Sequence, residues 1–165
     1  MIPDYQQEEV YAALAELADG LWDDEHWEDE ELWGELSEES IPPAEVPAFL
    51  ISALAAIGSS GGPHPEVVWD VLDDSDWSGY LGGADGRLHL HPKLTDRPLL
   101  LHELAHWCDN RDGHGPQFCS NYLDLIDAVL GPAACAVLAA AFERHGVEVE
   151  DWGPPAEGWP SGAST

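Results

Sequence analysis

The stretch Leu99-Leu100-Leu101-His102-Glu103-Leu104-Ala105-His106-Trp107-Cys108-Asp109 decides how this chain is read. At about 100° per residue of an α-helix, His102, Glu103 and His106 share one sector of about 100°, and Leu100, Leu101, Leu104 and Cys108 share the opposite one. The pattern predicts an amphipathic helix from about Arg97 to Asn110 that buries its leucines and presents two imidazoles together. Cys108 projects with the leucines and is read as a core residue rather than a nucleophile.

Histidines at i and i+4 on one helix face can place nitrogens at about 2.0–2.1 Å from a single Zn²⁺, and a catalytic zinc takes three protein ligands and keeps a position for water. His114 is the best third candidate. Asn110-Arg111-Asp112-Gly113 can turn the chain back, and Gly115-Pro116 starts the next helix. His64, His89, His91 and His145 are weaker candidates, with His89 and His91 placed nearer a substrate. Zinc lowers the pKa of a bound water from about 15.7 to about 7. Glu103, beside a ligand yet not one itself, is the expected general base that takes this proton and returns it to the leaving group. Asp109, one turn after His106, reads equally as an acceptor that orients a ligand imidazole or as a surface carboxylate. No residue is assigned to the oxyanion.

Two more helices follow, about Pro116 to Leu130, with Phe118, Tyr122, Leu125, Ile126 and Val129 on one stripe, and Pro132 to His145. Both begin with proline, which first helical turns accept. Upstream, Arg87-Leu88-His89-Leu90-His91 alternates, so Leu88 and Leu90 face inward and Arg87, His89 and His91 share a wet face. Asp85-Gly86 is a hairpin signal that links this strand to a second over Trp77 to Leu81, and Glu66 to Leu72 is a third. The apolar run Phe49 to Ile57, closed by Gly58, suits a buried helix. Val10, Tyr11, Leu14, Leu17 and Ala18 recur at helical spacing and form the apolar stripe of a first helix, which Gly20 stops.

The chain has 165 residues, enough for one domain, which spans residues 1–150. Asp and Glu dominate an acidic insertion, about residues 19–47, punctuated by Trp22, Trp27 and Trp33. It reads either as a solvated segment or as a docking strip for a basic protein partner. Residues 151–165, rich in Pro, Gly and Ser, read as a disordered tail. The formal net charge is −28, from 33 acidic against 5 basic residues. Such a surface repels phosphate backbones and anionic headgroups, so direct nucleic-acid or membrane binding is not expected. With no basic apolar leader and no membrane-length run, the expected location is the cytoplasm. Cys108, Cys119 and Cys135 lack C-x-x-C spacing and read as reduced, partly buried thiols.

His-Glu-Leu-Ala-His at 102–106, His114-Gly115-Pro116-Gln117-Phe118 and the Leu130-Gly131-Pro132-Ala133-Ala134 junction resemble the small metallohydrolases of actinobacteria and their phages. These are distantly similar to the SprT-like zincins. The opening Val10-Tyr11-Ala12-Ala13 and the strand from Gly86 to Leu90 share the likeness. The resemblance implies an α+β minimal zincin, a small twisted, mainly antiparallel sheet over the active helix, with zinc on His102, His106 and His114. The metzincin pattern does not fit, because Asp112 stands where its third histidine would be. The DNA-bound substrates of SprT-like proteases are not carried over, because this chain has the opposite charge.

The function expected is therefore zinc-dependent hydrolysis of a protein or peptide, with the strand at Arg87 to His91 receiving an extended peptide by strand addition. The alternative is a non-enzymatic acidic interaction protein or nucleic-acid mimic with a structural zinc site.

Overall fold

A computed structural model describes residues 6–20, 40–59, 63–69, 79–82, 87–92, 95–108 and 113–150, with backbone alone for 16–20 and 79–82. The helices are α1 (Gln7–Gly20), α2 (Val46–Ala56), α3 (Arg97–Cys108), α4 (Pro116–Leu130) and α5 (Pro132–Arg144). The strands are β1 (Val67–Trp69), β2 (Gly79–Gly82) and β3 (Arg87–Leu90). Helix dominates, and no helix among the described residues is long and apolar enough to cross a membrane.

The helix that carries the decisive stretch is the centre of the molecule. Asp96 caps it, its Oδ1 accepting the backbone N–H of Leu99 at 3.1 Å. α3 packs on α2 and α4 and against β2 and β3. Leu100, Leu101 and Leu104 are buried as expected, but so are His102, Glu103 and Ala105. The face that presents the histidines is therefore covered too, with α2 and α4 packed on α3. Cys108 departs from its reading as well: it is exposed, whereas Cys119 and Cys135 are buried. Cys108 is the last residue of α3.

The sheet has the order β1-β3-β2. β2 and β3 are antiparallel, with Tyr80 opposite His89, as the hairpin reading requires; the Asp85-Gly86 turn lies outside the described residues. β1 is parallel to β3, with Val68 opposite His89. The sheet is thus mixed, not mainly antiparallel. A turn dipeptide specifies only the strand it joins, and β1 finds its place through a non-local pairing no local signal encodes. The same order corrects the strand-addition expectation. β3 is central, its main-chain groups are engaged on both sides, and it has no edge to offer a peptide. The alternation holds: Leu88 and Leu90 are fully buried, Arg87 is exposed and His89 half-buried.

α4 and α5 close the opposite side. Phe118, Tyr122, Leu125 and Ile126 of α4 are buried among Cys135, Leu138 and Phe142 of α5. Gly131, at φ 95°, ends one helix and begins the next, with its N–H donating to the Ile126 carbonyl at 3.1 Å. α2 is buried on one side only, through Val46, Leu50, Ala53 and Leu54, and Ile51 is 46% exposed. The apolar run there predicts more burial than one neighbouring layer provides. Of the acidic segment, residues 21–39 lie outside the described residues, as does the tail 151–165. At the segment's end, Ile41 and Thr95 are paired reciprocally. The Ile41 N–H donates to the Thr95 carbonyl at 3.0 Å, and the Thr95 hydroxyl donates to the Ile41 carbonyl at 2.7 Å.

α1 docks on α5 with Val10 and Ala13 buried. Its attachment rests on a polar group the helical pattern does not mark. Gln6, 4% exposed, donates from Nε2 to the Glu148 carbonyl at 3.0 Å and accepts the Glu148 N–H on Oε1 at 3.0 Å. Its amide thus acts as one rung of a ladder between two chain ends. Gln6→Ala leaves both backbone groups without these partners and is expected to cost about 1–3 kcal/mol. Urea unfolding measures this, and a loss below about 0.5 kcal/mol would show that water replaces the amide without penalty.

Candidate metal centre

α3 supplies His102 and His106 one turn apart, and the third imidazole arrives from the turn before α4. Gly113, at φ 62°, takes the left-handed backbone that reverses the chain there. His114 follows it, and Gly115 is the N-cap residue of α4 with Pro116 in the first turn. The α3–α4 packing then sets His114 against the face of α3 that carries the two histidines.

The three rings meet through Nε2. His114 Nε2 lies 3.2 Å from His106 Nε2 and 3.2 Å from His102 Nε2. His102 and His114 are buried and His106 is half-buried. A neutral imidazole nitrogen carries one proton or one lone pair, so His114 Nε2 cannot bond both neighbours well at once. Nitrogens held about 2.05 Å from a common ion at the tetrahedral angle would be about 3.3 Å apart, close to the separations found. The three histidines lie close enough to bind a metal ion, and the donor set suits zinc.

The surroundings favour a neutral imidazole at His102. Burial, followed by the proximity of His106 and His114, pulls the His102 pKa well below the usual histidine range. This leaves a lone pair to offer a cation at neutral pH. His102 Nδ1 is buried and has no hydrogen-bond partner among the described residues. Aromatic rings pack the imidazoles instead. Phe118 stacks on His106 at 4.2 Å between centroids and meets His102 and His114 edge-on. Tyr122 meets His102 edge-on at 5.5 Å, and its hydroxyl donates to the Pro98 carbonyl at 3.0 Å.

Glu103 follows the first histidine on α3 and is 3% exposed. Burial pushes its carboxyl up to about 7. A divalent cation held by the neighbouring histidines would favour the carboxylate and oppose that shift. Tyr122 is driven above the ordinary phenol range by burial first, then by the Asp96 and Glu103 carboxylates.

Compared with known protein families, curated proteins and solved structures, the chain gives no match.

The site residues read from the sequence thus come together: His102, His106 and His114 as a cluster, with Glu103 beside it on the same helix. His89, His91 and His145, all half-buried, and exposed His64 stand outside the three-histidine group. Asp109 lies outside the described residues. Tyr11 was read as one more apolar position of α1, but it is 47% exposed and belongs to the site. Its ring stacks on His102 at 6.0 Å and tilts against His114 at 5.0 Å. Helical spacing groups it with the apolar positions of α1, yet Val10 and Ala13 are the buried ones, and nothing local tells which groups Tyr11 meets.

Proposed function

We propose that this protein is a zinc-dependent hydrolase, most simply a peptidase of the minimal zincin type, with Glu103 as its general base. One observation carries the reading: three Nε2 atoms converge at ligand spacing beside a buried carboxyl on the same helix. His102, His106 and His114 would hold the ion. Zinc in such a site supplies a water acidic enough to ionise near neutral pH and polarises the bond under attack.

The protein's own groups do the rest. Glu103 takes a proton from the attacking water and hands it to the leaving group, a role open to a carboxyl that a neighbouring cation would keep ionised. Phe118 and Tyr122 wall the imidazoles with apolar surface, which excludes competing water and fixes ring orientation. The choice of a peptide bond rests on the likeness of the H-E-L-A-H and H-G-P-Q-F motifs to the actinobacterial metallohydrolases.

Elemental analysis after purification without chelators is expected to give one zinc per chain. Removing it with EDTA should lower the melting temperature, and zinc should restore it, because an ion that binds only the folded chain stabilises it by mass action. Much less than one zinc per chain, together with no thermal response to added zinc, would set the reading aside.

A further inference from the structure

His102 and His106 are set by α3 itself, whereas His114 lies just before the first turn of α4 and needs other groups to hold it. Cys119, fully buried, bonds both residues of that approach. Its backbone N–H donates to the Gly115 carbonyl at 3.1 Å, and its Sγ donates to the His114 carbonyl at 3.6 Å. The thiol is reached in turn by Gln6, whose Nε2 donates to Sγ at 3.5 Å. The direction of this series is fixed at its far end. The Glu148 N–H can only donate and the Glu148 carbonyl can only accept, so they settle which end of the Gln6 amide is Oε1 and which is Nε2. The second N–H of Nε2 then goes to the sulfur, and the sulfur's own proton is left for the His114 carbonyl. Gln6, Cys119 and His114 are each at most 4% exposed, so water offers little competition. The segment that holds Glu148 also touches the turn directly, through the Glu150 N–H on the Pro116 carbonyl at 3.1 Å.

We propose that Cys119 and Gln6 are positioning residues of the metal centre, which hold the backbone of the third ligand, His114, and so set its Nε2 against those of His102 and His106. The inference rests on the metal-centre reading and adds how the one ligand outside a helix keeps its place. Neither residue is a ligand; both act through the His114 carbonyl. Groups that orient a ligand histidine through its ring are worth about ten- to a hundredfold in metal affinity. A thiol is a weak donor and acts here on the main chain, so the lower end of that range applies.

Cys119→Ala removes this sulfur, and Cys135→Ala removes a second buried thiol, one whose proton goes to the Leu123 carbonyl at 3.4 Å. Both leave a cavity of one sulfur atom, so both should lose similar stability. Competition with a chromophoric chelator is expected to show zinc held about tenfold more weakly by Cys119→Ala, and equally by Cys135→Ala and wild type. The visible bands of bound cobalt(II), which report the geometry of the ligands, should move in Cys119→Ala and not in Cys135→Ala. Gln6→Ala should weaken zinc binding in the same direction, and if Cys119→Ala does not fold, Gln6→Ala is judged by the same limits. Zinc affinity within about twofold of wild type with unmoved cobalt bands, or an equal loss in Cys135→Ala, would overturn the proposal and leave the thiol as packing. Failure of the wild type to take up zinc or cobalt would instead overturn the metal reading, and this inference with it.

Discussion

Replacing His114 with alanine is expected to weaken zinc binding by about 10²-fold or more while the chain stays folded. Structural zinc sites with four protein ligands bind with apparent free energies of about 10–16 kcal/mol, so one ligand accounts for on the order of 3 kcal/mol. The two histidines left on α3 cannot make up the difference, because the third nitrogen comes from a different element, the turn before α4. The fold should survive, since His114 is not a core aliphatic residue and its removal also relieves the poorly satisfied meeting of three ring nitrogens. Competition with a chromophoric chelator gives the affinity, and circular dichroism checks the fold. His64→Ala, at an exposed residue outside the cluster, is the control and should bind zinc as the wild type does. Added zinc should raise the melting temperature of wild type and His64→Ala but not of His114→Ala. If His114→Ala held zinc within about threefold of wild type, the three-histidine assignment would be wrong, since even an outer-shell contact is worth more than that.

The residues that predicted this centre lie within thirteen positions of one another, His102 to His114, and that is why they were legible. Helical periodicity fixes the first two histidines on one face, and the glycine and proline around His114 announce a turn that returns the chain. Longer-range facts left no such trace. Tyr11 reaches His102 across ninety-one residues, and Gln6 bonds Glu148 across 142. Local pattern describes which side of a helix is apolar, not what that side meets, so the stripe of α1 announced neither the contact of Tyr11 with the histidine cluster nor the tie that Gln6, just before the helix, makes to Glu148. The parallel pairing of β1 with β3 is the same kind of fact. The hairpin partner of β3 was written in Asp85-Gly86, but its other neighbour was set by packing.

The burial of the histidine-bearing face of α3 is a fact of the same kind. An amphipathic pattern says that His102 and Glu103 lie opposite the leucines, and ordinarily such a face is solvated. Here α4 covers it with Phe118 and Tyr122, and α1 brings Tyr11. A polar helix face enclosed by aromatic rings costs desolvation energy, and the depressed His102 and raised Glu103 pKa values are expressions of that cost. Such perturbed groups cluster where chemistry is done.

Glu103→Gln is the variant that separates chemistry from metal binding, and it is expected to lose hydrolysis by about 10²- to 10⁴-fold, the usual contribution of a positioned general base. The amide has nearly the shape of the carboxyl, so packing beside Tyr122 is kept, but it cannot accept the proton of the attacking water. Because three histidines already make a ligand set, Glu103→Gln should carry one zinc per chain, as is expected of the wild type. A pool of quenched fluorescent peptides provides the assay, in which cleavage by the wild type and its loss on adding EDTA are expected. Unchanged cleavage by Glu103→Gln would remove Glu103 from the mechanism and leave zinc acting with another base. Loss of zinc along with activity would say something different: that the carboxylate is itself a ligand, and that the fourth position is closed rather than open to water. A closed site is what structural zinc has, so this single substitution tests whether the histidine cluster serves reaction or stability. The burial of Glu103 makes the contrast sharp. A carboxyl 3% exposed is costly to keep ionised, and a helix that needed only to hold its fold would be better served there by glutamine or leucine.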